Sequence, residues 1–419
     1  MEYLLRGDIC YSENLKTLIC KENAYLHIKD GLCQGVYDSL PKELSSVEIK
    51  DYSGDLILPG MVDLHLHAPQ YGFRGTKMDL ELLDWLNVNT FPEEAKYQNL
   101  DYAERGYRDF VEDLRGSATT RAVIFGTLHK NATLLLMKLL EESGLLSYVG
   151  KVNMDRNSPE YLTEHTAEES LKNTKEWLSE IPKDWQNCKP ILTPRFTPTC
   201  SDALMEGLGK LAKEYKLPVQ SHLSENLGEI AWVKELCPDA KHYGDTYDRY
   251  GLLENSIMAH CVYTEGEELS ALKARGTMIC HCPQSNTNLC SGVAPIRYFL
   301  EENVKVGLGT DVAGGANLSM LRAITDAISV SKLRFRLMDQ SLAPLTLEEA
   351  FCLATLSGGS FFGKVGSFLP GYEADALVFH EKRRSVRKQT VKERLEVLLY
   401  TGEESARLQA KFVQGRQLF

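Results

Sequence analysis

Between about residue 58 and residue 364, short apolar runs alternate with longer stretches in which apolar positions recur every three to four residues. The short runs are typical of buried strands, and the periodic stretches are typical of helices that pack one face on a core. Tyr107, Phe110, Val111 and Leu114 form one such helical stripe. The alternation occurs eight times, with predicted strands at residues 60–66, 120–126, 148–153, 190–195, 217–222, 256–260, 277–281 and 304–310.

Helix start and stop signals agree with these boundaries. A Thr followed three residues later by a Glu is typical of a capped helix start, and a Gly after the last turn is typical of a helix end. Such starts occur at Thr166, Thr264 and Thr346, and glycines at predicted ends are Gly116, Gly144 and Gly276. Eight strand–helix units in about 300 residues match the size of a (β/α)8 barrel. We therefore predict an α/β fold with a TIM-like (β/α)8 barrel as the catalytic domain, at residues 58–365.

Both ends of the chain differ from this middle part. Short segments that favour strands lie at residues 3–9, 17–20, 24–28, 35–37 and 47–49, and again at 376–380 and 410–413. Glycine, aspartate and proline separate them, and a Gly- and Pro-containing break at 365–371 precedes the last two. We predict one small β-sandwich domain built from both termini, residues 1–57 and 366–419.

Composition excludes several classes of function. The 419 residues carry a formal net charge of −11, which argues against a nucleic-acid or anionic-membrane surface. No apolar run reaches the ~18 residues of a membrane span, and the charged N-terminus does not predict a signal peptide. The 11 cysteines, an odd number spread along the chain, indicate reduced thiols and a cytoplasmic location. Cys280, His281 and Cys282 cluster, but they lack the second pair of a typical zinc site.

The most informative motif is a pair of histidines, His65 and His67, at the end of the first predicted barrel strand. Alternate residues of a strand point to the same side, so both imidazoles face one way. Imidazole nitrogen binds zinc and similar divalent metals well. One such pair also arises by chance in a chain of this length, so its value depends on partners elsewhere.

Candidate partners end three other predicted strands. His222 ends the fifth, His260 ends the sixth, and Asp311 follows the eighth. Active sites of barrel enzymes assemble at the carboxyl ends of the strands, so we expect these side chains to meet the histidine pair there. The remaining histidines are expected to be surface or packing residues, and among them His129 and His281, near strand ends, are the best placed to line the pocket.

Together these residues predict a metal-dependent hydrolase. His65, His67, His222 and Asp311 can hold a divalent metal and leave a position open for water. A metal lowers the pKa of bound water from about 15.7 to about 7, and Asp311 can accept the proton. Glu225, three residues after His222, can shuttle a proton to a substrate. His260 either binds the metal or hydrogen-bonds the hydroxide; we favour the second role.

Several segments resemble the amidohydrolase superfamily of metal-dependent hydrolases. They are PGMVDLHLH at 59–67, HLSEN at 222–226, AHCVY at 259–263, HCPQSN at 281–286 and GLGTDVAGG at 307–315. Within that superfamily, HAPQYGF at 67–73 and TPRF at 193–196 resemble members that deaminate guanine. Gly72 and Gln284 depart from the family pattern, where Ser and Asn are familiar, and neither is a predicted ligand.

The resemblance implies hydrolytic deamination of guanine to xanthine and ammonia, one divalent metal, most often Zn²⁺ with Fe²⁺ as the alternative, a cytoplasmic location and a homodimer. It implies metal ligation by His65, His67, His222 and Asp311, and catalysis by Glu225, His260 and Asp311. The implied substrate-binding residues are His67, Gln70, Arg195, Phe196, His222, Glu225 and Asp311.

Alternatives stay open at this point. The substrate could be another aminopurine, a pterin or a triazine, which a comparison of turnover on these compounds discriminates. A non-catalytic barrel used as a scaffold would be expected to have lost ligands, whereas all five metal-centre positions are filled. Metal analysis of the purified chain separates both from a barrel whose rim histidines are structural.

Overall fold

A computed structural model describes residues 1–382 and 386–419. In these ranges the strands, in chain order, are β1 (Glu2–Ser12), β2 (Leu18–Lys29), β3 (Leu32–Tyr37), β4 (Glu48–Pro59), β5 (Met61–His67), β6 (Thr119–Phe125), β7 (Leu146–Gly150), β8 (Val152–Asn153), β9 (Cys188–Pro190), β10 (Thr193–Pro194), β11 (Val219–Leu223), β12 (Ser256–His260), β13 (Met278–His281), β14 (Lys305–Leu308), β15 (Ala376–Glu381), β16 (Ala406–Val413) and β17 (Arg416–Gln417).

The α-helices of the described ranges, in chain order, are α1 (Leu82–Trp85), α2 (Phe91–Ala95), α3 (Leu100–Gly116), α4 (Lys130–Ser143), α5 (Ala167–Glu180), α6 (Asp202–Tyr215), α7 (Leu227–Leu236), α8 (Asp245–Asp248), α9 (Gly266–Arg275), α10 (Pro283–Asn288), α11 (Ile296–Glu301), α12 (Met320–Leu337), α13 (Leu347–Cys352) and α14 (Val391–Thr401). None of the described helices is both long and apolar enough to span a membrane.

Both termini contribute to a single seven-stranded sheet with the order β17-β16-β15-β4-β1-β2-β3. β1 pairs parallel to β4, and the other neighbours pair antiparallel. β4 extends to Pro59, two residues beyond the predicted end of the N-terminal segment. The C-terminal part also contains α14, whose start is capped by Thr390 and Glu393. The sequence prediction missed this helix, although the capping pair is visible in the sequence.

The central part alternates strands and helices and has a TIM-barrel-like arrangement. Its strands form two parallel four-stranded sheets, β5-β6-β7-β9 and β11-β12-β13-β14. A parallel bridge between Leu192 and Val219 links the first sheet to the second. In register, His222 lies beside Ala259 and Leu223 beside His260, so the carboxyl ends of neighbouring strands lie at one rim. The strands therefore bring widely separated sequence positions together.

The fourth predicted strand, residues 190–195, is broken in the structure into the ends of β9 and β10. Pro190 and Pro194 explain the break, because proline lacks the N–H that a continuous ladder needs. β10 pairs with β8 instead, through Thr193 with Val152 and Pro194 with Asn153. The interruption leaves Arg195 and Phe196 at the rim, outside regular strand structure.

A long segment between β5 and α3, residues 68–99, lies over part of this rim. It contains a 3-10 turn (Ala68–Phe73), α1, a π-helical turn (Leu86–Thr90) and α2. Aromatic side chains hold it to α3, with the Tyr71 and Phe110 rings 5.5 Å apart and both buried. The sequence analysis assigned no element here, because the short apolar runs match neither periodicity.

A buried ion-pair cluster joins the terminal sheet to the central part. Arg121 of β6 donates from Nε to Asp375 at 2.7 Å and from Nη2 to Glu373 at 2.7 Å. Lys411 of β16 donates to the carbonyl oxygens of Arg115 at 2.6 Å and Thr119 at 2.9 Å. Because these charges are buried, removing one partner leaves the other uncompensated.

We therefore expect Arg121→Met to lower the free energy of unfolding by about 3–5 kcal/mol, since the Asp375 carboxylate stays buried without its cation. Urea unfolding followed by tryptophan fluorescence measures the loss. The matched control is Arg108→Met, which removes an exposed ion pair with Glu104 on α3 and is expected to cost about 1 kcal/mol or less. Equal losses in the two variants would contradict a structural role for the Arg121 cluster.

Candidate active site

The rim of the central strands gathers the residues that the sequence analysis selected. His65 and His67 end β5, His222 lies on β11, His260 ends β12 and Asp311 follows β14. All are buried except His222, which keeps partial exposure towards the cleft. The cleft is lined by His67, Gln70, Leu82, Trp85, Leu86, Arg195, Phe196, His222, Glu225, Glu229, His260, Leu289, Asp311 and Gly314.

Three imidazoles converge through their Nε2 atoms. His67 Nε2 lies 3.2 Å from His65 Nε2 and 3.3 Å from His222 Nε2. Asp311 Oδ1 lies 3.2 Å from His65 Nε2 and 3.3 Å from His67 Nε2. Potential ligand atoms of His65, His67 and His222, and separately of His65, His260 and Asp311, all lie within 4.8 Å of one another.

Hydrogen bonds at the other ring nitrogens define the tautomers of two histidines. His222 Nδ1 lies 2.7 Å from the Arg195 carbonyl oxygen, which can only accept, so Nδ1 carries the proton. His260 Nδ1 likewise donates to Asn286 Oδ1 at 2.8 Å. With Nδ1 as the donor, the Nε2 atom of each ring is directed into the cleft. His260 Nε2 is buried and has no hydrogen-bond partner among the described residues.

The donor set fits a divalent metal. Burial lowers the pKa of His67 to about 4 and the pKa of His222 well below its usual value, so both rings are neutral donors. Burial opposes ionisation of Asp311, but the neighbouring His65 and His67 hold its pKa well below the ordinary range. Neutral imidazoles with one carboxylate are a typical zinc ligand set. Hydrogen bonds at the outer ring nitrogens, such as those of His222 and His260, are typical supports for metal ligands.

Glu225 occupies a position suited to carrying a proton. Its Oε2 lies 3.3 Å from His260 Nε2, and its Oε1 accepts a hydrogen bond from Ser291 Oγ at 3.1 Å. Burial, with the nearby Asp311 carboxylate, raises the pKa of Glu225 well above its usual value. Glu229 fixes the local backbone by accepting from the Glu225 N–H at 2.9 Å. A carboxyl held in its protonated form can act as a general acid.

Gln70, Arg195 and Phe196 form the second half of the cleft. Gln70 and Arg195 both hydrogen-bond to the buried carboxylate of Glu94 on α2. The Phe196 ring lies edge-on to His222, with centroids 6.5 Å apart. The cleft therefore combines a metal-binding half with a flat polar and aromatic half, as a planar heterocycle requires.

Backbone geometry around the site is unusual. Ser224, His260 and Asp311 are non-glycine residues with φ of +48°, +73° and +48°. Such conformations cost free energy and concentrate at functional sites. A Cβ on Gly309 would lie 2.6 Å from Cys280 Sγ and 3.0 Å from His65 Cβ. The backbone at Gly309 therefore packs directly against the side chains of Cys280 and His65.

The structure also places two further histidines and adds residues to the site. His129 and His281 do not line the described cleft, and His281 is fully buried. Both residues lie near predicted strand ends, but a position at a strand end does not by itself decide which way the side chain points. The residues that the sequence analysis did not assign are Glu94, Glu229, Asn286 and Ser291. Two signals were available in the sequence: Asn286 ends the HCPQSN segment, and Glu229 stands three residues after Asn226, the spacing of a capping box.

Comparison with known proteins decides the family. The model of the amidohydrolase family matches residues 56–404. The chain belongs to the amidohydrolase family. This amidohydrolase is 44% identical to guanine deaminase from Rattus norvegicus over 345 residues, covering 80% of this chain and 75% of the relative. It is 36% identical to guanine deaminase from Escherichia coli K12 over 413 residues, covering 95% and 91%.

The amidohydrolase also matches a solved structure over its whole length. The crystal structure of guanine deaminase from C. acetobutylicum, with guanine bound in its active site, superposes with a TM-score of 0.97. The two sequences are 42% identical, and each chain is covered completely. The predicted resemblance to the amidohydrolase superfamily and its guanine-deaminating members is thereby confirmed.

We expect the purified amidohydrolase to contain about one tightly bound divalent metal ion per chain, because its Nε2 lone pairs and one carboxylate converge. His222→Ala is expected to lose most of this metal, measured by inductively coupled plasma mass spectrometry after gel filtration. The control His165→Ala changes an exposed histidine outside the cleft and should keep it. Equal metal content in both variants would place the ion elsewhere.

Proposed function

We propose that this amidohydrolase catalyses the hydrolytic deamination of guanine to xanthine and ammonia. One observation carries the proposal: the cleft places Gln70, Arg195 and Phe196 against the histidine–aspartate cluster, in a chain that matches a guanine-bound guanine deaminase over its full length. The metal half can activate water, and the other half can recognise a flat base. Deamination of a purine requires both halves of the cleft.

The base-recognising half suits guanine chemically. Guanine offers O6 and ring nitrogens as acceptors and offers N1–H and the 2-amino group as donors. The Gln70 amide can meet a mixed donor–acceptor edge. Arg195 can donate to the carbonyl oxygen O6 and favour negative charge there. Phe196 packs against the face or edge of the ring.

We propose that His65, His67, His222 and Asp311 hold one divalent ion, with Zn²⁺ as the expected metal and Fe²⁺ as the alternative. When bound, the ion acts as a Lewis acid that brings the pKa of water to about 7. With the ion bound, His260 would accept a hydrogen bond from the attacking water at Nε2, because Nδ1 carries the ring proton that is donated to Asn286 Oδ1.

The protein groups then move the protons. Asp311 accepts the proton of the attacking water at its carboxylate. Glu225, held protonated by burial, donates its proton to N3 of guanine as oxygen adds to C2. The deprotonated Glu225 then takes the proton of the new C2 hydroxyl and delivers it to the departing amino group, so that the C–N bond breaks, the C2 carbonyl forms, and ammonia and xanthine are released. The proton left on Asp311 returns to Glu225 and resets both carboxyls. The covering segment around Leu82, Trp85 and Leu86 lines the cleft and limits access of bulk water.

We further propose the finer architecture and setting. The predicted division places a small domain at residues 1–57 and 366–419 and the catalytic barrel at 58–365. A closed (β/α)8 barrel is supported by one buried cluster that joins Val62, Val123, Ile257 and Met278 from both sheets. A β-sandwich form of the terminal sheet is supported by its own core, in which the Tyr3 and Phe412 rings lie 6.0 Å apart.

A cytoplasmic location is supported by eleven free cysteine thiols. A homodimer rests on the family resemblance. The proposed small-molecule ligands of the amidohydrolase are guanine and water. A net charge of −11 argues against nucleic acid or an anionic membrane as a partner. Analytical ultracentrifugation of the purified protein measures the oligomer.

The decisive experiment offers the metal-replete protein a panel of guanine, adenine, 2-aminopurine, a pterin and an aminotriazine. We expect guanine to have the highest kcat/KM, with equal amounts of ammonia and xanthine released, because the cleft provides partners for both O6 and the 2-amino edge. Ammonia is measured by a coupled assay and xanthine by chromatography. Faster turnover of any other compound would overturn the substrate assignment.

Glu225→Gln is expected to lower kcat by about 10²–10⁴-fold, because the amide keeps the shape but cannot donate and accept the proton in turn. Metal content should stay unchanged, since Glu225 is not among the proposed ligands. The matched control, Glu235→Gln, alters an exposed carboxylate on α7, the helix that follows Glu225, and should behave as wild type. A Glu225→Gln variant with normal kcat would remove Glu225 from the mechanism.

A further inference from the structure

We propose that Glu94 is a positioning residue that sets the hydrogen-bonding pattern of Gln70 and Arg195 and thereby determines selectivity for the 6-oxo group of the purine. This inference rests on the proposed function, because it concerns how the same cleft recognises its base. Glu94 lies on α2, in the segment that covers the rim, and its side chain is 2% exposed.

One carboxylate holds both base-recognising side chains. Glu94 Oε1 accepts a hydrogen bond from Gln70 Nε2 at 2.8 Å and from Arg195 Nη2 at 3.1 Å. Glu94 Oε2 accepts from Arg195 Nη1 at 2.6 Å. This is a two-point pairing of carboxylate with guanidinium, which adds geometric specificity to the charge attraction.

The Glu94 contact fixes which way the Gln70 amide points. The Gln70 NH₂ group faces the carboxylate, and Gln70 Oε1 accepts from the Ala313 N–H at 3.3 Å. Turning the amide over would place its NH₂ against an N–H and its oxygen against a carboxylate. Gln70 therefore offers the base one free lone pair on its amide oxygen and one free N–H, both with a fixed orientation.

The same carboxylate controls Arg195. The guanidinium has five N–H donors, and the pairing with Glu94 leaves others for the base. Phe91, also on α2, lies against the guanidinium, with Arg195 Cζ 5.1 Å from the ring centroid. Because Glu94 balances the charge of Arg195, the cleft presents a donor without a net positive charge. That arrangement favours a neutral oxo-purine over an anionic ligand.

No other described carboxylate pairs with Arg195, so the pattern depends on α2. Gln70 follows β5 and Arg195 follows β10, so the two residues lie far apart in the sequence. Glu94 connects them from a third segment. A substitution there can change recognition of the base without touching the histidine–aspartate cluster.

The test compares Glu94→Gln with wild type for guanine and for 2-aminopurine, which keeps the 2-amino group but lacks the 6-oxo group. In Glu94→Gln one acceptor becomes a donor that faces Gln70 or Arg195. We expect the KM for guanine to rise about tenfold or more, with a smaller change in kcat. We expect the inhibition constant of 2-aminopurine to change by about twofold or less, since that ligand does not use the 6-oxo contact.

Equal changes for both ligands, no change for either, or a loss confined to kcat would each overturn the inference, because a merely structural defect affects both ligands alike. Glu93→Gln is the matched control on the same helix; Glu93 pairs with Lys96 at 2.6 Å, outside the cleft, and the variant should keep wild-type constants. Unchanged metal content and far-UV circular dichroism in Glu94→Gln verify its folding, since loss of the buried ion pair is itself expected to lower the thermal midpoint.

Glu94→Asp keeps the negative charge and retracts it by one methylene, and provides a second measurement if Glu94→Gln does not fold. We expect Glu94→Asp to raise the KM for guanine while the inhibition constant of 2-aminopurine stays near the wild-type value; a parallel rise in both overturns the inference. The proposed function has a separate readout. If wild-type protein releases no xanthine from guanine, the proposed function fails, whereas normal wild-type turnover with equal changes for guanine and 2-aminopurine in Glu94→Gln contradicts only the role of Glu94.

Discussion

The structure depends on holding several Nε2 lone pairs and one carboxylate together in a buried rim. His65, His67 and His222 bring their Nε2 atoms within 3.2–3.3 Å of a neighbour. Lone pairs that face each other repel. The cluster is therefore stable only if the nitrogen atoms share a cation or a proton and are held in a rigid frame. The frame is provided by parallel strands, whose fixed spacing leaves little freedom for the side chains at their ends.

The rest of the cleft compensates charge locally. Asp311 lies among imidazoles, Arg195 is paired with Glu94, and Glu225 is kept neutral by burial. An uncompensated charge at such depth would cost several kcal/mol. Arg195 therefore has a counter-charge and Glu225 is held in its neutral form, while the carboxylate of Asp311 lies where the imidazoles converge.

Much of the fold was predictable because its signals are local. The period of the apolar residues and the caps at Thr166 and Thr346 identified the alternating elements. The prediction of a continuous fourth strand was wrong, because two prolines interrupt its hydrogen-bond ladder. The segment at 68–99 and α14 were missed, because they are held by aromatic packing and by contacts with other elements rather than by a long amphipathic pattern.

By itself, the sequence determined which chemistry is available: two histidines on one strand face, further ligands at strand ends, a carboxyl after His222 and the family motifs. Only the tertiary structure decided how these groups are oriented and paired. It directs the His260 Nε2 lone pair inward through Asn286 and joins Gln70 to Arg195 through Glu94. The physical reason is distance along the chain, because hydrogen bonds between residues 24 to 101 positions apart leave no local pattern in the sequence.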